Sequence, residues 1–275
     1  MEDERRMMDF EDERRMMDFK DILYNSEDGI ARVTLNNPEK MNRLSIETMQ
    51  EVVAAVNEAK EDESVRVVVI QAAGDKAFCA GANLADFSGL SPVESRDVFR
   101  AFADLSKVFV DLGKPSIAAV NGLALAGGFG LAIYPDITIA SDRAKFGLPE
   151  INVGIWSCMV SASLPRIVGR KKALELLATG EMIDAREAER IGLVNKVVPH
   201  EELEDTVRNL ALTLSNKSPA VMRLGRDSYY TMLDMNFDQA VEYMLDVLAL
   251  VMSTEDHKEG LSAFSEKRKP VWRNK

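Results

Sequence analysis

The chain reads as an α/β protein with parallel crossovers, and three features predict that class. Val65–Gln71 is β-branched and nearly continuous, as in a strand covered on both faces. Ser116–Val120 and Asp136–Ala140 read as further strands. Apolar helical patterns lie between them, and strand, helix, strand, helix in chain order means parallel strands joined by helical crossovers.

The elements follow in order. Ile22–Ser26 and Ile30–Asn36 flank the turn-like Glu27-Asp28-Gly29, which predicts a β-hairpin. Ser45 starts a helix that carries Ile46, Met49, Val52, Val53 and Val56 on one face. Gly74 to Leu84 is a loop of small residues. Ser91-Pro92-Val93-Glu94 combines a capping Ser, Pro at the first position and Glu three residues after the Ser. One helix is expected from there to Lys114-Pro115, burying Val98, Phe102, Leu105, Phe109 and Leu112. Gly122 to Gly130 is rich in Gly and Ala and leads into another apolar helix. From about Pro199 only helical patterns appear, ending in the basic Lys267-Arg268-Lys269-Pro270-Val271-Trp272.

Three segments are therefore expected: a charged start (1–20), an α/β core (21–198) and a helical C-terminal region (199–275). In the first, EDERRMMDF at Glu2–Phe10 recurs letter for letter at Glu11–Phe19 and then stops, so it is no solenoid. A frayed helix from a duplicated start fits it better than an oligomer-contact arm.

Bulk numbers narrow the function. The net charge of −11 disfavours nucleic acid and anionic lipid as partners. A 46% hydrophobic content allows a sizeable core, and no apolar run reaches the ~18 residues of a membrane span. Cys79 and Cys158 read as free thiols, with no metal-spaced cluster around them. The acidic start lacks a signal-like apolar stretch, so a cytoplasmic protein without a metal site is expected.

Three segments are candidates for chemistry. Lys76 to Leu84 follows a strand and is built of residues small enough to let a ligand approach the backbone. Asn121 to Gly128 follows a strand and opens a helix, whose first free N–H groups favour an anion. Phe146-Gly147-Leu148-Pro149-Glu150 places a carboxylate after a strand. Taken singly, each has a plain alternative: tight packing joints for the loops, a solvated helix start for Glu150. Gly-x-Gly-x-x-Gly is absent, which weakens a nicotinamide reading.

Together, the order and spacing of these segments resemble the crotonase, or enoyl-CoA hydratase/isomerase, superfamily. The resemblance runs from about Ile22 to Trp272. It includes Asn37-Pro38-Glu39-Lys40-Met41-Asn42, Ala80-Gly81-Ala82, Ala118-Ala119-Val120-Asn121-Gly122, Gly127-Gly128 and Phe146 to Glu150. It continues through Leu177-Ala178-Thr179-Gly180 and Gly192-Leu193-Val194 to Phe264-Ser265-Glu266-Lys267-Arg268-Lys269. The Lys-Pro-Val-Trp tail looks closest to the branch of enoyl-CoA hydratase domain-containing proteins.

The resemblance implies a spiral of ββα units with a helical C-terminal trimerisation region, assembled as a homotrimer or a dimer of trimers. It implies an acyl-CoA substrate, with coenzyme A present only as part of that substrate and no other cofactor. The thioester oxygen would sit between the N–H groups of Ala82 and Gly127. The coenzyme would lie against Lys40, Met41, Ala80, Ala82 and Leu84, with Phe264 and Lys267 reaching it from a neighbouring subunit. Lys267 also reads as an ordinary basic helix end.

The second of the two hydratase glutamates matches Glu150, whereas the first matches Gly130, which has no side chain. Loss of one carboxylate favours a double-bond isomerase, or a specialised hydratase with another partner. Gly130, Trp156, Ser157 and Met159 are expected at the acyl pocket, although Trp156 also fits a core position. Cys158 is a poor nucleophile candidate, because neither His200 nor His257 lies in its region of the sequence. Two further readings stay open. One is thioester hydrolysis or decarboxylation, with Asp86 or Ser157 as the extra polar group. The other is an acyl-CoA-binding protein without activity.

Overall fold

A computed structural model describes residues 19–82 and 89–275. The charged repeat, Leu84 and Asp86 therefore lie outside the described residues, apart from Phe19 and Lys20 at the end of the first segment. The chain opens with the expected hairpin, β1 (Ile22–Glu27) and β2 (Ile30–Leu35), paired antiparallel with Glu27 opposite Ile30. Both turn residues have positive φ, 52° at Asp28 and 76° at Gly29. A two-residue turn of that hand matches the twist of the strands. Ser45 caps α1 (Ile46–Glu61), and its side chain accepts the Thr48 N–H in a capping box. Met49, Val52 and Val56 on the predicted face are buried.

The next stretch repeats one unit three times: a strand in a large sheet, a short strand in a small one, then helix. The large-sheet strands are β3 (Val67–Ala72), β5 (Ser116–Val120) and β7 (Ile137–Ser141). Each is followed by a three-residue strand: β4 (Ala77–Cys79), β6 (Leu123–Leu125) and β8 (Lys145–Gly147). With β9 (Ile183–Asp184) and β10 (Lys196–Val198), the orders are β1-β2-β3-β5-β7-β10 and β4-β6-β8-β9. The large sheet is parallel from β2 onward. This is the α/β class that the sequence predicts.

Between β4 and β5 the structure corrects one expectation. The single helix after Ser91 is two, α2 (Pro92–Val98) and α3 (Arg100–Val108). The break falls at Phe99, whose N–H is shared between the Asp97 and Ser95 carbonyls at ψ −1°. Leu105, Phe109 and Leu112 are buried as expected, but Val98 and Phe102 are only half-buried. The rings of Phe99 and Phe102 pair at 5.6 Å.

After β6 comes α4 (Gly127–Ile133). Then α5 (Cys158–Val168), α6 (Arg170–Thr179) and α7 (Ala185–Arg190) lead to β10. The C-terminal region supplies α8 (Leu203–Ser215), α9 (Pro219–Met232), α10 (Phe237–Ser253) and α11 (Glu255–Glu266).

Both faces of the large sheet are covered. One side packs Val33, Leu35, Val68, Ile70, Ala118 and Val120 into the main core. The other packs Val67, Val69, Ile117 and Ile139 against Leu203, Val207 and Ala211 of α8. Two-sided burial is why β3 reads as a continuous apolar run.

The helix α9 is tied to the sheet by one buried charge pair. Arg226 bonds both oxygens of Asp136, at 2.9 and 3.0 Å, and donates to the carbonyls of Val110 and Phe109. Asp136 also accepts from the N–H and hydroxyl of Ser116 and from Tyr230. Removing one partner of such a pair leaves the other charge buried and under-compensated. Arg226→Ala is therefore expected to lower the unfolding free energy by about 3 kcal/mol or more, read by chemical denaturation.

Candidate active site

The site is built where the first two turns of the spiral touch. A cavity of about 760 Å³ is lined by Ala80 and Ala82 after β4, and by Ala126 and Gly127 at the start of α4. Its walls add Phe99 and Phe102, Tyr134, Glu150, and the stretch Ile155 to Val160. That volume is in the range of small-molecule sites, about 300–1,000 Å³.

The two small-residue loops meet backbone to backbone. A Cβ on Gly128 would lie 2.1 Å from the Cys79 carbonyl oxygen, so only glycine permits the approach. Gly81 has φ +81°, and a Cβ there would fall 2.7 Å from that of Ala126. Leu44 fixes the first loop by donating to the Gly81 carbonyl at 2.9 Å, next to its bridge with Ala82. The second loop is fixed by Ala126, which donates to Gly147 and accepts from Gly130. Ala126 is held at φ 54°, ψ −120°, a conformation that costs a side-chain-bearing residue about 1–3 kcal/mol. The N–H of Ala82 and that of Gly127, the first residue of α4, find no acceptor among the described residues.

Glu150 sits in the 3₁₀ turn Pro149–Val153 that follows β8. Its Oε2 is buried without a hydrogen-bond partner among the described residues. Loss of solvent raises its pKa above the usual carboxylate value, opposed by its own backbone N–H and by the Ser157 side chain. Ser157 and Met159 line the cavity as expected. Trp156 lines it too and is 40% exposed, which removes the core alternative.

Other expected residues fall differently. Gly130 is buried and is covered by Tyr134: a Cβ on Gly130 would lie 2.8 Å from the Tyr134 hydroxyl. The aromatic ring, rather than the glycine, thus forms the cavity wall. Met41 accepts from the Ala80 N–H at 3.0 Å, which places Lys40 and Met41 at the outer side of the first loop. Phe264 and Lys267 stand exposed on and just after α11 and do not line this chain's cavity. Cys158 is exposed at the start of α5, whereas Cys79 is buried, its thiol pushed up to about 12 by desolvation. Among the described residues no group of three His, Cys, Asp or Glu side chains could hold a metal ion, and no helix is long and apolar enough to cross a membrane.

Tyr134 is a polar lining residue that sequence reasoning misses. Its only signal is its place four residues after Gly130, which on a helix puts the two on one face.

Known proteins match nearly the whole chain. The model of the enoyl-CoA hydratase/isomerase family matches residues 25–275. The crotonyl-CoA hydratase of Syntrophomonas wolfei is 39% identical over 249 residues, covering 90% of this chain and 96% of that protein. The mitochondrial enoyl-CoA hydratase domain-containing protein 3 of Xenopus laevis is 38% identical, covering 90% of this chain and 84% of that protein. Among solved structures, an enoyl-CoA hydratase from Bacillus anthracis has a TM-score of 0.88 at 31% identity, covering 93% of this chain and 100% of that one. Human enoyl Coenzyme A hydratase domain-containing protein 3 has a TM-score of 0.86 at 33% identity, covering 92% and 100%. With this fold and these matches, the chain belongs to the enoyl-CoA hydratase/isomerase family.

Proposed function

We propose that the protein processes acyl-CoA thioesters by stabilising an enolate between the N–H groups of Ala82 and Gly127 while Glu150 moves a proton. What supports this reading is that Ala82, Gly127 and Glu150 line one cavity, that neither N–H has an acceptor among the described residues, and that the carboxylate is desolvated. As the α-carbon loses a proton, or the β-carbon gains a nucleophile, negative charge collects on the thioester oxygen. Donors fixed in advance at that oxygen contribute about 3 kcal/mol each to the transition state. Glu150 is the only carboxylate among the described residues lining the cavity. One carboxylate suffices to carry a proton from one acyl carbon to another, as base and then acid. A shift of a 3-enoyl to a 2-enoyl thioester is thus the simplest reaction, and water addition is its nearest alternative. Hydrolysis or decarboxylation would draw on Ser157, beside Glu150.

The coenzyme would lie along Lys40, Met41, Ala80 and Ala82, continuing toward Leu84. Phe264 and Lys267 of a neighbouring copy would close over it. Self-association fits the apolar side chains exposed on α10 and α11, such as Phe237, Leu245, Leu261 and Phe264.

Three outcomes are expected. Glu150→Gln keeps acyl-CoA binding but lowers kcat about 100-fold or more, measured with crotonyl-CoA and a 3-enoyl-CoA in parallel. Full activity in that variant removes the assigned base. For the wild type, the base works ionised and its pKa is raised, so kcat/KM falls toward acid with an inflection above 4.5. An inflection at or below that value contradicts a desolvated base. Light scattering gives three or six times the chain mass, and a monomer at micromolar concentration contradicts the assembly.

A further inference from the structure

Tyr134 is the cavity's one buried phenol, and the mechanism above leaves it unused. It caps the C-terminal end of α4, seven residues after Gly127. Positions seven apart on a helix share a face, and long helical side chains lean back toward the N-terminus. The Tyr134 ring accordingly returns over Gly130, its hydroxyl 2.8 Å and its Cζ 2.9 Å from where a Cβ on Gly130 would stand. The space a side chain at 130 would enter is filled by this hydroxyl.

The hydroxyl makes no hydrogen bond to a described residue, and unlike that of Tyr24 it is not sealed off as a buried orphan. Burial, with the charge of Glu150 adding to it, holds the phenol well above its ordinary value. The phenol therefore keeps its proton when Glu150 is ionised. Tyr134 and Glu150 line the same cavity with no hydrogen bond between them.

We propose that Tyr134 positions the water that adds to an enoyl thioester, so that the site hydrates as well as isomerises. The proposal rests on the enolate reading above. One water proton is directed at the Glu150 carboxylate, and the other O–H donates to the phenol oxygen. As the new C–O bond forms at the β-carbon, the π pair moves toward the thioester oxygen, held by the Ala82 and Gly127 N–H groups. Glu150 takes the water proton and returns it to the α-carbon as the enolate collapses. The Tyr134 proton stays in place, and the sum is one water added to one double bond. Proton transfer between carbons needs no such water, so the two reactions should separate at this residue.

The test measures hydration of crotonyl-CoA and isomerisation of a 3-enoyl-CoA on the same preparations. Tyr134→Phe keeps the ring and removes only the hydroxyl. The expected result is a fall of about 10-fold or more in the ratio of hydration to isomerisation, carried by kcat rather than KM. Gly130→Ala should move the ratio in the same direction, because its Cβ displaces the hydroxyl. Thermal melting of both variants checks that the fold is kept. An unchanged ratio in Tyr134→Phe overturns the proposal, as does a wild type that isomerises through Glu150 but never hydrates. In both cases Glu150→Gln remains inactive and the enolate reading survives. If Glu150→Gln keeps both activities, that reading falls and this one with it.

Discussion

The site depends on one steric constraint: two strand-ending loops approach so closely that their main chains touch. Gly128 against the Cys79 carbonyl, and Gly81 against Ala126, leave no volume for a side chain. That contact brings Ala82 and Gly127 to one cavity. It also explains the strained Ala126. The chain must leave β6, bonded to Gly147, and enter α4 within one residue, and φ 54° is how it does so. Strain at a functional turn persists only where its surroundings over-determine it. Here β4, β6 and β8, lying parallel side by side, do so.

Much of this was legible in the sequence because local chemistry and tertiary role agree. Ser45 and Ser91 cap the helices they announce, Asp28-Gly29 makes the turn it suggests, and β3 is buried on both faces as its apolar run requires. The two loops were legible as well, since a backbone that must be reached has to be built from small residues. Glu150 could be singled out only together with them; alone it is an acidic residue after a proline.

What escaped the reading escaped for definable reasons. Strands β4, β6 and β8 have three residues each, too few to show an alternation, and β6 lies inside the small-residue loop itself. The break at Phe99 leaves the helical periodicity of α2 and α3 nearly intact, so the pattern reads as one helix. Tyr134 looks like a core aromatic at the end of an apolar helix, and it is indeed buried. The role proposed for it appears only once the empty Cβ position of Gly130 is set against its hydroxyl. An absent side chain is visible in the sequence, but what fills its place is a three-dimensional fact.

The charge balance of the pocket follows from the same geometry. A cation at the thioester oxygen would stabilise the enolate, but it would also pull down the pKa of a nearby carboxylate and weaken it as a base. Neutral backbone donors, as in the proposed site, would stabilise the developing charge with much less of that penalty. Desolvation of Glu150 outweighs the backbone and Ser157 hydrogen bonds that oppose it and raises its proton affinity toward that of the carbon acid in the proposed reaction. A second carboxylate at position 130 would add repulsion between like charges. A phenol that stays neutral supplies a hydrogen-bonding oxygen without it. Gly130 and Tyr134 are thus one device: the glycine clears the space, and the tyrosine fills it with an uncharged polar group.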